Sequence, residues 1–307
     1  MDSFLDTCLD DLSVEAERKL ARTFMGRIEW EMILIGLGQF SIWVMTWFLV
    51  VQSIIPLWLG SIIAIITTSC SYLPSHAGQH GHLSGGNKSL AWIDSFVGQI
   101  SLIPLAQPHA ILKATHLKHH AYTNDPKRDP DFFHTHVKNW RQAALKIHNQ
   151  YNPQGRIAKI LETLAEEDPK FAQALKSGAT WKLILSIAQI ILAILFPLET
   201  LLLWWVPRMI TLSYLAIFFS HRPHTDLEPG RYKDTRFWTN GIPRFFNHSM
   251  QIHTMHHMYP RICHYDEPKA IEALRPFMIE RGIPGAEYIP ERITLNPITY
   301  IKGANSA

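Results

Sequence analysis

Histidines with a regular spacing are the residues of this chain that most clearly indicate chemistry. They form two His-x-x-His-His triplets and one pair spaced by four, which are His116, His119 and His120, then His253, His256 and His257, and finally His76 and His80. On a helix, positions i, i+3 and i+4 share one face, so each triplet is expected to present three imidazoles to a single point. Imidazole is the commonest metal-binding side chain and suits iron, zinc, copper and nickel. The sequence therefore predicts a multi-histidine metal site.

A ninth candidate ligand, His221, stands in a Ser-His-Arg sequence directly after the last apolar block. One metal ion accepts at most six ligands in octahedral geometry, and a structural zinc ion needs four. Nine imidazoles therefore predict two metal ions, with positions left for a small molecule. The chain's three cysteines are scattered without a Cys-x-x-Cys pair, so thiolate ligation is not indicated.

Two long apolar blocks must position these histidines. Residues 32–72 contain no charged side chain, and a bilayer crossing takes about 20 apolar residues, so this block predicts two helices, at about 30–50 and 57–73. A second block, 183–219, predicts another helical hairpin that turns near 197–200. The expected fold is an all-α integral membrane protein with four transmembrane helices in two hairpins. A helical cytosolic cap is expected to hold the dimetal site.

Basic residues predict the orientation of the hairpins. Arg18, Lys19, Arg22 and Arg27 precede the first helix, whereas the turns of both hairpins are poor in Lys and Arg. The positive-inside rule then places both termini and all the histidine groups in the cytosol. The membrane is expected to be the inner membrane of a bacterium, or an internal membrane such as the endoplasmic reticulum in a eukaryote.

We expect a single domain over residues 1–307. Its parts are a first hairpin at 30–73, a cytosolic segment at 74–180 with an interfacial stretch at 90–105 and helical runs at 140–150 and 156–177, a second hairpin at 181–220, and a C-terminal cytosolic segment at 221–307. The formal net charge of +3 is too small to indicate a nucleic-acid partner.

The histidine motifs resemble those of the membrane fatty acid desaturase superfamily of histidine-rich diiron enzymes. Its relatives include acyl desaturases, alkane hydroxylases, and carotenoid ketolases and hydroxylases. The matching stretches are His76-Ala-Gly-Gln-His80-Gly81, His116-Leu-Lys-His119-His120 running to Asp129-Pro-Asp131, and His253-Thr-Met-His256-His257-Met-Tyr-Pro260. The resemblance implies two iron ions held by the nine histidines and dioxygen as co-substrate.

The reaction implied by the resemblance is desaturation of a fatty acyl chain drawn from the bilayer. Amino-acid side chains cannot cleave an aliphatic C–H bond, so an oxidising metal centre must do so. A carotenoid ketolase or hydroxylase, or an alkane or lipid hydroxylase, would use the same ligands, and a membrane metal transporter is the alternative from another class. The chain shows no dinucleotide-binding glycine motif and no cysteine cluster. A separate ferredoxin, rubredoxin or cytochrome b5-type electron donor is therefore expected.

Other residues near the motifs are expected to have lesser roles. Imidazole ligands usually donate their second N–H to a carboxylate or carbonyl, and five side chains could orient ligands or metal-bound water in this way: Asp125, Asp129, Asp131, Asn247 and Gln251. We expect surface or supporting roles for His82, His224 and His248, which break the spacing. Ordinary structural roles are expected for His109, His134, His136, His148 and His264.

Overall fold

The computed structural model describes residues 11–150, 152–238 and 250–289. The α-helices in these residues are α1 Val14–Arg22, α2 Trp30–Val51, α3 Leu57–Ser69, α4 Tyr72–His80, α5 Ala91–Leu102, α6 His109–Tyr122, α7 Phe132–Thr135, α8 Trp140–Lys146, α9 Arg156–Glu167, α10 Pro169–Leu195, α11 Pro197–Thr200, α12 Val206–Leu215, α13 Arg222–His224, α14 His253–Met258 and α15 Glu267–Glu280. Two π-helical stretches, Leu201–Trp205 and Ala216–His221, join α11, α12 and α13. Short 3-10 helices occupy Lys88–Leu90, Ile147–Asn149, Met250–Ile252 and Ala286–Tyr288. Within the described residues, the only β-type pairing is an isolated bridge between Met25 and Ile262.

Four helical segments are long and apolar enough to cross a membrane: Trp30–Val51, Leu57–His80, Pro169–Leu195 and Pro197–His224. Their outward side chains are largely apolar; Leu34 is 70% exposed and Ile194 75%. So many large apolar side chains on the outer surface of these helices require lipid around them in place of water. The all-helical membrane fold with two hairpins, predicted from the sequence, is confirmed.

The third span starts earlier than the hydropathy pattern predicts. The Asp168 carboxylate accepts hydrogen bonds from the backbone N–H groups of Lys170 and Phe171, at 2.9 and 3.3 Å, and Pro169 occupies the first helical position. A capping aspartate followed by proline is a strong helix start, because proline lacks the N–H that would continue the preceding helix. The helical run expected at 156–177 is therefore divided between α9 and α10.

The second span carries the first histidine pair on its final helix. Helix α4 follows α3 after a break at Cys70 and Ser71, and it ends at Gly81, which has a φ of 78°. Helix α5, the stretch expected to be interfacial, packs across α4 so closely that a Cβ on Gly78 would lie 2.5 Å from the backbone oxygen of Asp94. This contact holds the end of the second span, with His76 and His80, against helix α5.

A compact cap joins the N-terminal helix to the segment after the last histidine triplet. Leu20 and Ala21 of α1 pack in one apolar core with Ile271 and Leu274 of α15. The fully buried carboxylate of Glu17 accepts hydrogen bonds from the hydroxyl of Tyr259 (2.6 Å) and that of Tyr232 (3.0 Å). Residues near the two ends of the described chain therefore pack together in one layer.

Candidate metal centre

The structure brings the imidazoles of all three histidine motifs together. One group, which we call group A, contains five side chains whose candidate ligand atoms all lie within 4.8 Å of one another: His76, His80, His116, His120 and His256. The Nε2 atom of His256 lies 3.1 Å from Nε2 of His80 and 3.0 Å from Nε2 of His120. Group A therefore joins the end of the second span, helix α6 and helix α14.

A second group, group B, lies beside the first. His119, His224 and His257 meet within the same 4.8 Å limit, and Nε2 of His253 is 3.1 Å from Nε2 of His257. The rings of His120 in group A and His257 in group B have centroids 4.3 Å apart. Two adjacent clusters of imidazole nitrogens result.

Each triplet divides between the two groups instead of serving one point. His116 and His120 face group A while His119 faces group B; His253 and His257 belong with group B while His256 faces group A. The i and i+4 positions of a helix lie about 40° apart, whereas neighbouring residues lie about 100° apart. Adjacent histidines of one triplet therefore reach different clusters, and the expectation of a single point per triplet is corrected.

His224 lies in one of the two histidine groups, whereas His221, expected to be a ligand, does not. His221 donates its Nδ1–H to the backbone oxygen of Thr135 at 2.8 Å and belongs to neither histidine group among the described residues; it lines a separate cavity. His224 donates its Nδ1–H to the backbone oxygen of Asp234 at 3.1 Å, and its buried Nε2 has no hydrogen-bond partner in the described structure. The spacing His-Arg-Pro-His, again i and i+3, is a sequence signal that could have identified His224.

The carboxylates that were expected to orient the histidine ligands differ in their distance from those ligands. Asp129 is fully buried and accepts a hydrogen bond from Nδ1 of His119 at 2.8 Å, while Asp131 lies 4.0 Å from the same nitrogen. Asp125 instead accepts from the backbone N–H of Lys127, at 2.7 Å. Gln251 is fully buried next to the triplet, and Asn247 lies outside the described residues.

Burial keeps most of these imidazoles uncharged. For His116, His120, His256 and His257, desolvation first and neighbouring imidazoles second lower the pKa well below its usual value, and the pKa of His253 falls to about 3. His119 differs: burial lowers its pKa, but the Asp129 carboxylate more than offsets this and raises it to about 9. Neutral imidazole is the form that binds a metal ion.

The distances and hydrogen bonds fit metal ions held by Nε2. A metal–nitrogen bond of about 2.1 Å places neighbouring ligands of one ion about 3 Å apart, the separation found between Nε2 atoms in both groups. Nδ1 of His119 and of His224 is bonded to an acceptor, which leaves Nε2 as the nitrogen that can bind a metal ion; at His119 the metal ion would displace the Nε2 proton. Without a cation, these converging lone pairs would be buried with no donor to satisfy them.

A third group, missed from the sequence, lies behind group A. The fully buried Glu29 stands between His82 and His264, with its Oε2 atom 3.2 Å from Nδ1 of His82 and 3.3 Å from Nδ1 of His264. Nε2 of His264 in turn lies 3.1 Å from Nδ1 of His76. These residues are far apart in the chain and follow no spacing rule, so no sequence signal pointed to them.

A cavity of about 150 Å³ is lined by His116 of group A. More than half of its lining is aliphatic or aromatic: Leu105, Ile111, Leu112, Ile147, Ile157, Leu161, Leu212, Leu215, Ala216 and Phe219. Its polar lining consists of Tyr72, Gln107, Thr115, His116, Asp131, His134, Gln150 and Ser220. Several of these residues belong to the fourth span, so the cavity lies between that span and His116.

Fold and site define an integral membrane protein with a polyhistidine centre suited to metal. Residues 52–288 match the family model described as fatty acid desaturase, so the chain belongs to the fatty acid desaturase family. It is also similar to an acyl-lipid (9+3)-(E)-desaturase from Dimorphotheca sinuata, with 25% identity over 245 residues. That alignment covers 65% of this chain and 63% of the relative. The alignment therefore spans less than two thirds of that relative's length.

Proposed function

We propose that this protein is a dioxygen-dependent diiron desaturase that introduces a double bond into a fatty acyl chain. The observation that carries the proposal is the pair of adjacent histidine groups, one of which lines an apolar cavity through His116. A transport function has less support, because most of the histidine side chains in the two groups are buried. The family match and the acyl-lipid relative agree with an acyl substrate.

Each group would hold one iron ion. We assign His76, His80, His116, His120 and His256 to the first ion and His119, His224, His253 and His257 to the second. When bound, the two ions supply the oxidising power that side chains lack. The protein contributes orientation: the Asp129 carboxylate fixes the His119 ring, and the Asp234 carbonyl fixes the His224 ring.

The apolar cavity would hold the acyl chain with one pair of methylene groups beside group A. Its aliphatic walls exclude water from the reacting carbons and bind the chain by burial of apolar surface. Removal of two hydrogens from adjacent carbons supplies two electrons, while reduction of dioxygen to two water molecules requires four. Two further electrons and two protons must therefore come from outside the substrate.

A separate redox protein would deliver these electrons. Four exposed arginines, Arg18, Arg22, Arg231 and Arg261, line a cytosolic cleft of about 420 Å³, which we call the arginine cleft. Arg261 and His80 of group A also line the same small pocket. A cluster of positive charge steers an acidic partner, and redox encounters bury small interfaces. We assign the arginine cleft to an acidic donor of the ferredoxin, rubredoxin or cytochrome b5 type.

The proposed orientation has both termini and all the histidine groups on the cytosolic side. The basic residues Arg18, Lys19, Arg22 and Arg27 precede the first span, and the hairpin turns lack them. A cysteine-accessibility assay in sealed vesicles would test this arrangement. Labelling of a cysteine introduced at Ser53, in the first turn, only from the cytosolic side would contradict it.

Expression in a host that makes β-carotene tests the reaction. Fatty acids are analysed by gas chromatography and pigments by liquid chromatography, with a His120→Ala variant as the inactive control. New double bonds in acyl chains, absent with the variant, are expected. Oxygenated pigment or new hydroxyl groups with unchanged double bonds would instead favour a ketolase or hydroxylase. Movement of metal across the membrane without either product would favour transport.

A further inference from the structure

Glu29 and His264 form a hydrogen-bonded line that ends on a group A histidine. The fully buried carboxylate lies 3.3 Å from Nδ1 of His264, whose Nε2 lies 3.1 Å from Nδ1 of His76. All three side chains are buried. Glu29 directly precedes the first span, and His264 follows the last triplet, so the line connects the two ends of the described fold to the metal centre.

Counting donors and acceptors fixes the direction of each bond. An ionised carboxylate only accepts hydrogen bonds, so His264 donates Nδ1–H to Glu29, which leaves Nε2 to carry the lone pair. That lone pair accepts Nδ1–H from His76. The lone pair of His76 is then on Nε2, where the other group A nitrogens converge. Burial raises the pKa of a carboxyl, yet His264 and His82 hold the pKa of Glu29 below its usual range, so it stays ionised.

His82 is the second imidazole next to Glu29. Its Nδ1 lies 3.2 Å from Glu29 and its Nε2 lies 2.9 Å from the carbonyl oxygen of Pro260. Both partners only accept hydrogen bonds, so His82 acts as a donor here and holds the carboxylate in place beside His264.

The same count of hydrogen-bond donors and acceptors argues against a third metal ion between Glu29, His82 and His264, although their ligand atoms lie within 4.8 Å of one another. Such an ion would take the Nδ1 lone pair of His264 and leave its proton on Nε2. His264 would then donate to His76, which would have to carry its own proton on Nε2 and could not bind in group A. A metal ion between Glu29, His82 and His264 would therefore exclude binding of His76 to the metal ion of group A.

We propose that Glu29, acting through His264, is a positioning residue that fixes the ring of His76 as an Nε2 ligand of the group A metal. The inference rests on the proposed function only in taking His76 as a ligand. It parallels the role of Asp129 at His119 in group B, with one additional imidazole between carboxylate and ligand. Loss of such outer partners typically weakens metal binding by about 10–100-fold.

Metal release from the purified full-length protein to a coloured chelator tests the proposal. Two phases are expected, one for each group. Glu29→Gln should accelerate one phase by about 10–100-fold and leave the other unchanged, while Asp129→Asn should accelerate only the other. Glu29→Asp, which keeps the carboxylate, should lie between wild type and Glu29→Gln. His264→Phe should match Glu29→Gln, and the double variant should be no faster than either single one, because all three interrupt the same line.

A matched control separates positioning from general stability. Glu17→Gln removes another fully buried carboxylate, bonded to Tyr259 and Tyr232, and should lower the melting temperature without changing either release phase. Unchanged release from Glu29→Gln, or acceleration of the same phase by Glu29→Gln and Asp129→Asn, would overturn the inference. So would three tightly held ions in the wild type with one lost in Glu29→Gln.

The metal actually present separates this inference from the proposed function. Wild-type protein that holds zinc in place of iron would contradict the diiron proposal, but the release phases of zinc would still report on Glu29. Two irons in the wild type with unaltered release from Glu29→Gln and His264→Phe would contradict the positioning role alone.

Discussion

His120 and His256, 136 residues apart in the chain, meet with their Nε2 atoms 3.0 Å apart. This contact joins the middle histidine motif to the last one, and it closes group A over the end of the second span. Each partner has an adjacent histidine, His119 or His257, that belongs to group B. Each triplet therefore contributes histidines to both groups, so a change in helix α6 or helix α14 is expected to affect both groups.

His224, not His221, is expected to be required for the second metal. His224→Ala should reduce the bound iron from about two to about one per chain and abolish desaturation, because it removes a buried Nε2 from group B. His221→Ala should retain both irons, since the Nδ1 of His221 is bonded to a backbone carbonyl outside the groups. Iron analysis of both purified variants checks this; equal losses would refute the assignment.

Asp129 is expected to matter more than the neighbouring Asp125. Asp129→Asn should weaken metal binding by about 10–100-fold because it removes the carboxylate that orients His119. Asp125→Asn is the control, since Asp125 bonds only to a backbone N–H in the adjacent turn. Equilibrium titration of metal-free protein measures both; a weaker affinity in the control would show that the turn itself is what matters.

Ala216 is expected to limit the space for the acyl chain. It is fully buried and lines the apolar cavity, so Ala216→Phe should fill part of that volume and shift products toward shorter chains or lower the yield severalfold. Ile194→Phe, on the exposed surface of the third span, is the control. Fatty acid profiles by gas chromatography compare the two. An unaltered profile with Ala216→Phe would place the substrate elsewhere.

Charge reversal in the arginine cleft is expected to affect the electron donor and not the chemistry. The double variant Arg18→Glu/Arg22→Glu should raise the KM for a [2Fe–2S] ferredoxin by about tenfold, with kcat and reduction by dithionite unchanged. Arg141→Glu, a basic position outside the cleft, is the control. A defect seen only in nanodiscs that contain anionic lipid would assign the cleft to lipid headgroups instead.

The sequence predicted the hairpins and the convergence of its histidines for a clear physical reason. A long unbroken apolar segment is rarely stable except as a membrane-spanning helix. The positions of His76, His116 and His253 relative to these segments predict that all three lie on the same side of the membrane. The start of the third span was not predicted, because its first turns are amphipathic and the decisive signal is the local Asp168–Pro169 cap.

The division of ligands between the two groups could not be predicted from spacing. Whether His119 or His120 faces a given ion depends on how α6 rotates against α14, which is a property of tertiary packing. The same holds for the line from Glu29 to His264, since 235 residues separate its members. Spacing indicates which side chains could bind metal; packing decides which of them share an ion.

Anomalous scattering at the iron edge from crystals of the purified protein tests the two-metal centre most directly. Two iron peaks per chain are expected, one among the Nε2 atoms of His76, His80, His116, His120 and His256, and one among those of His119, His224, His253 and His257. A single peak, or a peak between Glu29, His82 and His264 with group A empty, would contradict the proposed centre.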